Sequence, residues 1–160
     1  LYTVESFLRI VEDLRNATPG IAISTDIIVG FPGETEEEFE ATLDIVERVR
    51  FDSAFMFIYS PRPGTPAADM DQLPYGLKQA RLLRLAELQN RISCEINESY
   101  VGRTLEVLVE GPSPKNPALL QGFSREFKMM HFPGPADLRG RLVPVRATKA
   151  HLWGLTGELL

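Results

Sequence analysis

Ser24-Thr25-Asp26-Ile27-Ile28-Val29-Gly30-Phe31-Pro32-Gly33-Glu34-Thr35 is the stretch on which the fold turns. From Ile21 to Val29 the chain is mostly β-branched and apolar, and alternation divides it unequally. Ile21, Ile23, Thr25, Ile27 and Val29 share one face, while Ala22, Ser24, Asp26 and Ile28 share the other. A packing face opposite a small, polar one suits a parallel strand whose outer side meets helices and whose inner side lines a site; a strand buried on both sides is normally apolar throughout. Gly30 to Gly33 is turn chemistry, and Thr35 with Glu38 three residues later is a capping box opening a helix carried by Phe39, Leu43, Val46 and Val49. Glu34, Glu36, Glu37, Glu38 and Glu40 fall mostly in its first turn, where the helix dipole favours negative charge, and read as a solvated helix start rather than a metal site. Asp26 is the most informative residue: a carboxylate inside such a strand needs a partner for its charge, and it is either a structural anchor or a ligand contact.

Outward from this stretch the same grammar continues. Val4, Phe7, Leu8, Val11 and Leu14 recur at helical spacing and predict an amphipathic helix over 3–16, ended by Thr18-Pro19-Gly20. A second strand is expected over 53–59, followed by the rigid loop Ser60-Pro61-Arg62-Pro63-Gly64-Thr65-Pro66, in which each proline fixes its own φ. Leu77, Leu85, Leu88, Ile92 and Ile96 support a long helix over about 75–97. Beyond it, segments 103–110, 117–123, 127–132, 140–149 and 151–159 predict short strands separated by Gly and Pro turns, the pattern of a small closed β-barrel. The fold class is therefore α/β followed by all-β, with domains over 1–98 and 99–160.

Composition bounds the function. The chain has 160 residues and is 44% hydrophobic, as folded proteins are, with no apolar run near the roughly 20 residues that cross a bilayer and no signal-peptide pattern. A cytoplasmic protein without a membrane partner is expected. One cysteine, Cys94, rules out an internal disulfide and cannot alone hold a metal cluster, so no metal ligands are expected here; on the long helix it reads as a buried or half-buried thiol. The start, directly on a helix-like segment without Met, suggests a piece of a longer polypeptide. Residues 1–98 carry 9 Lys+Arg against 17 Asp+Glu, net −8, whereas residues 99–160 carry 8 against 5, net +3. Only the second part has the sign of a surface that meets phosphates. His131 and His151 lack ligand-spaced partners and read as structural, and Phe123 and Phe127, taken singly, as core.

Three motifs in order carry a resemblance: residues 24–35 above; Tyr59-Ser60-Pro61-Arg62-Pro63-Gly64-Thr65-Pro66-Ala67-Ala68; and Val101-Gly102-Arg103-Thr104 with Val107-Leu108-Val109-Glu110-Gly111. The chain resembles, over essentially all its length, the radical S-adenosylmethionine methylthiotransferase family. The resemblance implies that residues 1–98 are the C-terminal portion of a partial (βα)6 barrel, its fifth and sixth strands with their helices, and that residues 99–160 are an OB-like barrel of the TRAM type. It places Asp26 on the ribose of S-adenosylmethionine and Ile28 on its adenine, with Gly30, Phe57 and Tyr59 completing the cofactor wall, although Phe55, Phe57 and Tyr59 equally suit ordinary strand packing.

The resemblance further implies that Arg62 faces the substrate and that Arg103, Arg125, Lys128 and Phe132 contact RNA; an Arg that merely solvates its Pro-rich loop is the other reading of Arg62. In the family pattern near residues 122–132, Gly122 and Phe132 match, while Phe123, Phe127 and His131 replace the usual Arg and Asn. Aromatic residues interleaved with cations can instead stack unpaired bases. The two 4Fe-4S clusters of the family belong to missing N-terminal domains, so this chain alone has no catalytic residue. The implied reaction is methylthiolation at carbon 2 of a prenylated adenosine beside the tRNA anticodon, the anticodon stem-loop being the partner. The alternatives are a ribosomal-protein aspartate or threonylcarbamoyladenosine as substrate or, for this piece, a non-catalytic RNA-binding module.

Overall fold

The computed structural model describes residues 2–160. The chain divides into two compact units, Leu1–Ile92 and Ser93–Leu160, so the division falls inside the long helix, six residues before the expected boundary at 98.

The first unit begins with helix α1 (Val4–Ala17), capped by Thr3, whose hydroxyl accepts from the Ser6 amide while the Ser6 hydroxyl accepts from the Thr3 amide. Strand β1 is Ser24–Val29, helix α2 Glu36–Val49 and strand β2 Ser53–Ile58. β1 and β2 pair in parallel, with Asp26 opposite Phe55 and Ile28 opposite Phe57. Parallel neighbours need a crossover, and α2 supplies it. The capping box forms as the sequence predicts, Thr35 accepting from the Glu38 amide and Glu38 from the Thr35 amide. The strand is shorter than expected: Ile21 to Ile23 lie outside it, although the Ile23 amide donates to the Asp52 carboxylate at 2.9 Å. Val29, Phe39, Val46, Val49, Phe51 and Leu85 form the buried interior of this unit.

Helix α3 spans Tyr75–Glu98. Its Arg81, Arg84 and Arg91 meet Glu34 and the acidic residues of α2. Arg81 bonds Glu34 and Glu36, Arg84 bonds Glu36 and Glu40, and Arg91 bonds Glu47. Glu36, Glu37, Glu38 and Glu40 stay exposed, as expected of a solvated helix start, and the ion pairs add to that reading: arginines at helical spacing present one face to glutamates at similar spacing. The hydrogen bond from Arg84 is the main cause holding the Glu36 carboxyl below its usual range, with Arg81 adding to it.

The second unit is a closed barrel of five strands, β3 (Thr104–Pro112), β4 (Leu120–Ser124), β5 (Met129–Phe132), β6 (Leu142–His151) and β7 (Gly154–Leu159), in the order β3-β4-β5-β7-β6. Burial alternates strictly along β3, and its inward residues Leu105, Val107 and Val109 meet Met130, Phe132 and Val145 in the core. Closure leaves no free sheet edge. Glycine is required at Gly122, where a Cβ would lie 2.1 Å from the carbonyl oxygen of Leu108. No helix among the described residues is long and apolar enough to cross a membrane.

Candidate functional site

The face of the first sheet that carries Asp26 is open. Ile28, Phe55 and Phe57 are 58%, 62% and 52% exposed, on the side opposite Thr25, Ile27 and Val29. The division of faces is the one the sequence predicts. The expected charge partner at Asp26 is not supplied from within: its side chain lies on the exposed face, with no hydrogen bond or ion pair to its carboxylate among the described residues. The result is a carboxylate flanked by three open apolar side chains on two adjacent strands.

At the C-terminal end of β1 the chain turns sharply. Gly30 has φ +75°, and a Cβ there would sit 2.6 Å from Cγ of Lys78, so glycine satisfies both the backbone and the close passage of Lys78. The Gly30 amide donates to the Glu34 carboxylate at 2.7 Å, and the same oxygen accepts from buried Arg81 at 2.6 Å. Lys78 Nζ reaches the Tyr59 carbonyl at 3.4 Å and lies 5.4 Å from the centre of its ring. Tyr59 also meets Phe31 edge-on at 5.0 Å, and its buried hydroxyl has no hydrogen-bond partner among the described residues. Arg62 is exposed in the loop after β2, where its carbonyl accepts from the Thr65 hydroxyl at 2.8 Å. Sequence reasoning missed Lys78 and Arg81. The three-residue step from Arg81 to Arg84 and the seven-residue step to Arg91 were the available signal.

On the barrel, the residues expected at an RNA surface separate. Phe132 is 0% and Lys128 5% exposed, which removes both side chains from the surface: Phe132 is core, and the Lys128 ammonium lies 5.4 Å from the centre of the Tyr100 ring. Arg103 is exposed, with its guanidinium 4.5 Å from the same ring centre. Arg125 is exposed and pairs with Glu106 at 2.7 Å. Phe127, expected in the core, is instead an exposed residue at the β4–β5 hairpin, stacked on Phe123 with centroids 4.7 Å apart and planes 12° from parallel. His131 and His151 are neighbours rather than isolated: Thr156 pairs with His131 across β5 and β7, and its hydroxyl is 2.9 Å from Nε2 of His151. Burial first, then the charges of His151 and Lys115, lowers the His131 imidazole below its ordinary value. Cys94 is half-buried. Among the described residues no three His, Cys, Asp or Glu side chains come together as a metal site.

Residues 98–160 match the TRAM domain family. The whole chain is 57% identical over 160 residues to the tRNA-2-methylthio-N(6)-dimethylallyladenosine synthase of Moorella thermoacetica, an alignment covering 99% of this chain and 36% of that protein. The proteins of the same name from Geobacillus kaustophilus and Symbiobacterium thermophilum are each 51% identical over 99% of the chain, which covers 30% and 34% of their lengths. The chain thus spans about a third of the length of the curated relatives it matches. Sequence agreement thus runs from end to end of the chain with one part of these methylthio synthases, and the closed barrel lies where the TRAM domain match falls.

Proposed function

We propose that this chain is the C-terminal part of a tRNA methylthiotransferase acting at carbon 2 of N6-dimethylallyladenosine next to the anticodon, in the cytoplasm. Residues 1–98 supply the last two strands of its catalytic barrel, and residues 99–160 hold the tRNA anticodon stem-loop. The observation that carries the reading is the open β1–β2 face, where one carboxylate, Asp26, stands among Ile28, Phe55 and Phe57.

That face fits S-adenosylmethionine chemically. Asp26 accepts hydrogen bonds from the ribose hydroxyls, Ile28 and Phe57 cover the adenine, Gly30 lets the backbone come close, and the unpartnered Tyr59 hydroxyl supplies one further polar contact. Bound there, the cofactor provides the methyl group and the radical chemistry of the family. The Glu34–Arg81 pair holds the Gly30 turn, and through it the end of β1, in place. Iron–sulfur clusters do not fit the residues present, since one cysteine cannot supply the several thiolates that a cluster takes. On the barrel, exposed Arg103 and Arg125 provide phosphate contacts, and Arg62 faces the substrate from the loop after β2.

The test uses the chain extended to the length of its relatives, with the methylthiolated nucleoside measured by mass spectrometry. Replacing Asp26 with Ala removes a charge-assisted hydrogen bond, which lowers turnover by roughly ten- to a hundredfold and leaves tRNA affinity unchanged. Equal losses of turnover and of tRNA binding would remove Asp26 from the cofactor site.

A further inference from the structure

The pairing of the barrel strands brings two hairpin tips together. β4 and β5 are antiparallel neighbours joined by residues 125–128, and β6 and β7 are antiparallel neighbours joined by residues 152–153. β5 and β7 run parallel side by side, with Met130 opposite Leu155. The residues just before these two strands therefore emerge at the same end of the barrel, on strands about 4.8 Å apart. Each tip presents an aromatic ring: Phe127 is 68% and Trp153 74% exposed.

Both rings are held out by the fold. The Phe127 amide donates to the Ser124 carbonyl at 3.0 Å, the Ser124 amide to the Lys128 carbonyl at 3.0 Å, and Phe127 sits at φ +55°, a conformation that a bulky residue adopts only when its surroundings impose it. Its ring is braced on one side by Phe123. The turn beneath Trp153 is clamped by buried Asn97, whose side-chain nitrogen donates to the carbonyls of His151 at 2.8 Å and Leu152 at 3.2 Å. Neither exposed ring belongs to the core, and both sit on backbone tied down by these hydrogen bonds.

Cations collect at the same end. Arg103 precedes β3 beside the Tyr100 ring, Arg125 lies in the β4–β5 tip where it pairs with Glu106, and Lys149 is near the end of β6, all three exposed. Rigid aromatic faces among positive charges are complementary to bases whose own faces are open and whose backbone is anionic. In an RNA duplex those faces are covered by stacking, so the feature suits unpaired nucleotides. We propose that Phe127 and Trp153 form a two-ring platform on which neighbouring unpaired bases of single-stranded RNA stack. The proposal rests on the RNA-binding reading above and goes beyond it: here stacking at the β4–β5 tip takes the place of the polar contacts that the family pattern provides.

Trp153 is the only tryptophan of the 160 residues, so its fluorescence reports on the platform directly. The whole chain is titrated with a single-stranded oligoadenylate octamer and with an RNA duplex of equal length. The octamer binds more tightly than the duplex and quenches Trp153. Phe127→Asn, which removes the ring and suits the positive φ, weakens octamer binding roughly tenfold without lowering the melting temperature. Trp153→Ser, followed by polarisation of a labelled octamer, weakens it to a similar degree. If the octamer binds with Trp153 fluorescence unchanged and Phe127→Asn without effect, or if the duplex binds and quenches equally well, the platform is wrong while RNA binding stands. Failure of both RNAs to bind at low salt overturns the RNA reading and the platform together.

Discussion

Asp26 and Phe127 are out of place in opposite senses, a carboxylate in an apolar strand and a large apolar ring in solvent, and each marks a surface that the fold alone does not require. His131 is a milder case. Burial is the main reason its imidazole lies below the ordinary value, so the folded chain binds a proton there less readily than the unfolded chain does. Its contribution to stability is complete above the unfolded value of about 6.5 and is lost as pH falls through the lower folded value. Between pH 7.5 and pH 5.5 the melting temperature of the wild-type chain is expected to fall more steeply than that of His131→Gln. Parallel pH dependences in the two proteins would show that His131 does not titrate differently on folding.

Among the elements, the junction of β1, α2 and α3 depends most on single side chains. Arg81 is buried, shares one Glu34 oxygen with the Gly30 amide, and lies 5.4 Å from the centre of the buried Phe39 ring. Removing one partner of a buried pair leaves the other charge uncompensated, a loss of about 3–5 kcal/mol. Arg81→Ala is therefore expected to lower the unfolding free energy by about that much in urea titration. The exposed Arg91–Glu47 pair, by contrast, contributes no more than about 1 kcal/mol, and Arg91→Ala should be nearly silent by the same measurement. A large loss at Arg91 and a small one at Arg81 would reverse this ranking.

At the scale of the whole molecule the two units solve the sheet-edge problem differently. The barrel closes on itself, whereas β1 and β2 form a sheet of two strands with a free edge on each and an uncovered face bearing Ile28, Phe55 and Phe57. The 160-residue chain is expected to self-associate at micromolar concentrations in sedimentation velocity, and the Phe55→Ser, Phe57→Ser double variant to shift toward monomer while keeping its helical circular dichroism. A wild-type chain that stays monomeric as concentration rises would show that the open face is not adhesive.

Much of this was legible in one dimension. The alternation from Ile21 to Val29 assigned the two faces of β1, the Thr35–Glu38 spacing set the start of α2, and turn residues at short intervals announced the barrel. These are local signals, carried by the period of a strand or the first turn of a helix, and sequence spacing encodes them directly. Which glutamates meet Arg81 and Arg84, why Lys128 and Phe132 lie inside while Phe127 and Trp153 lie outside, and how two hairpin tips come to share one end of the barrel were decided only by tertiary structure. Each depends on strand register and helix facing between residues far apart in the chain, and spacing along a single element does not contain those relations.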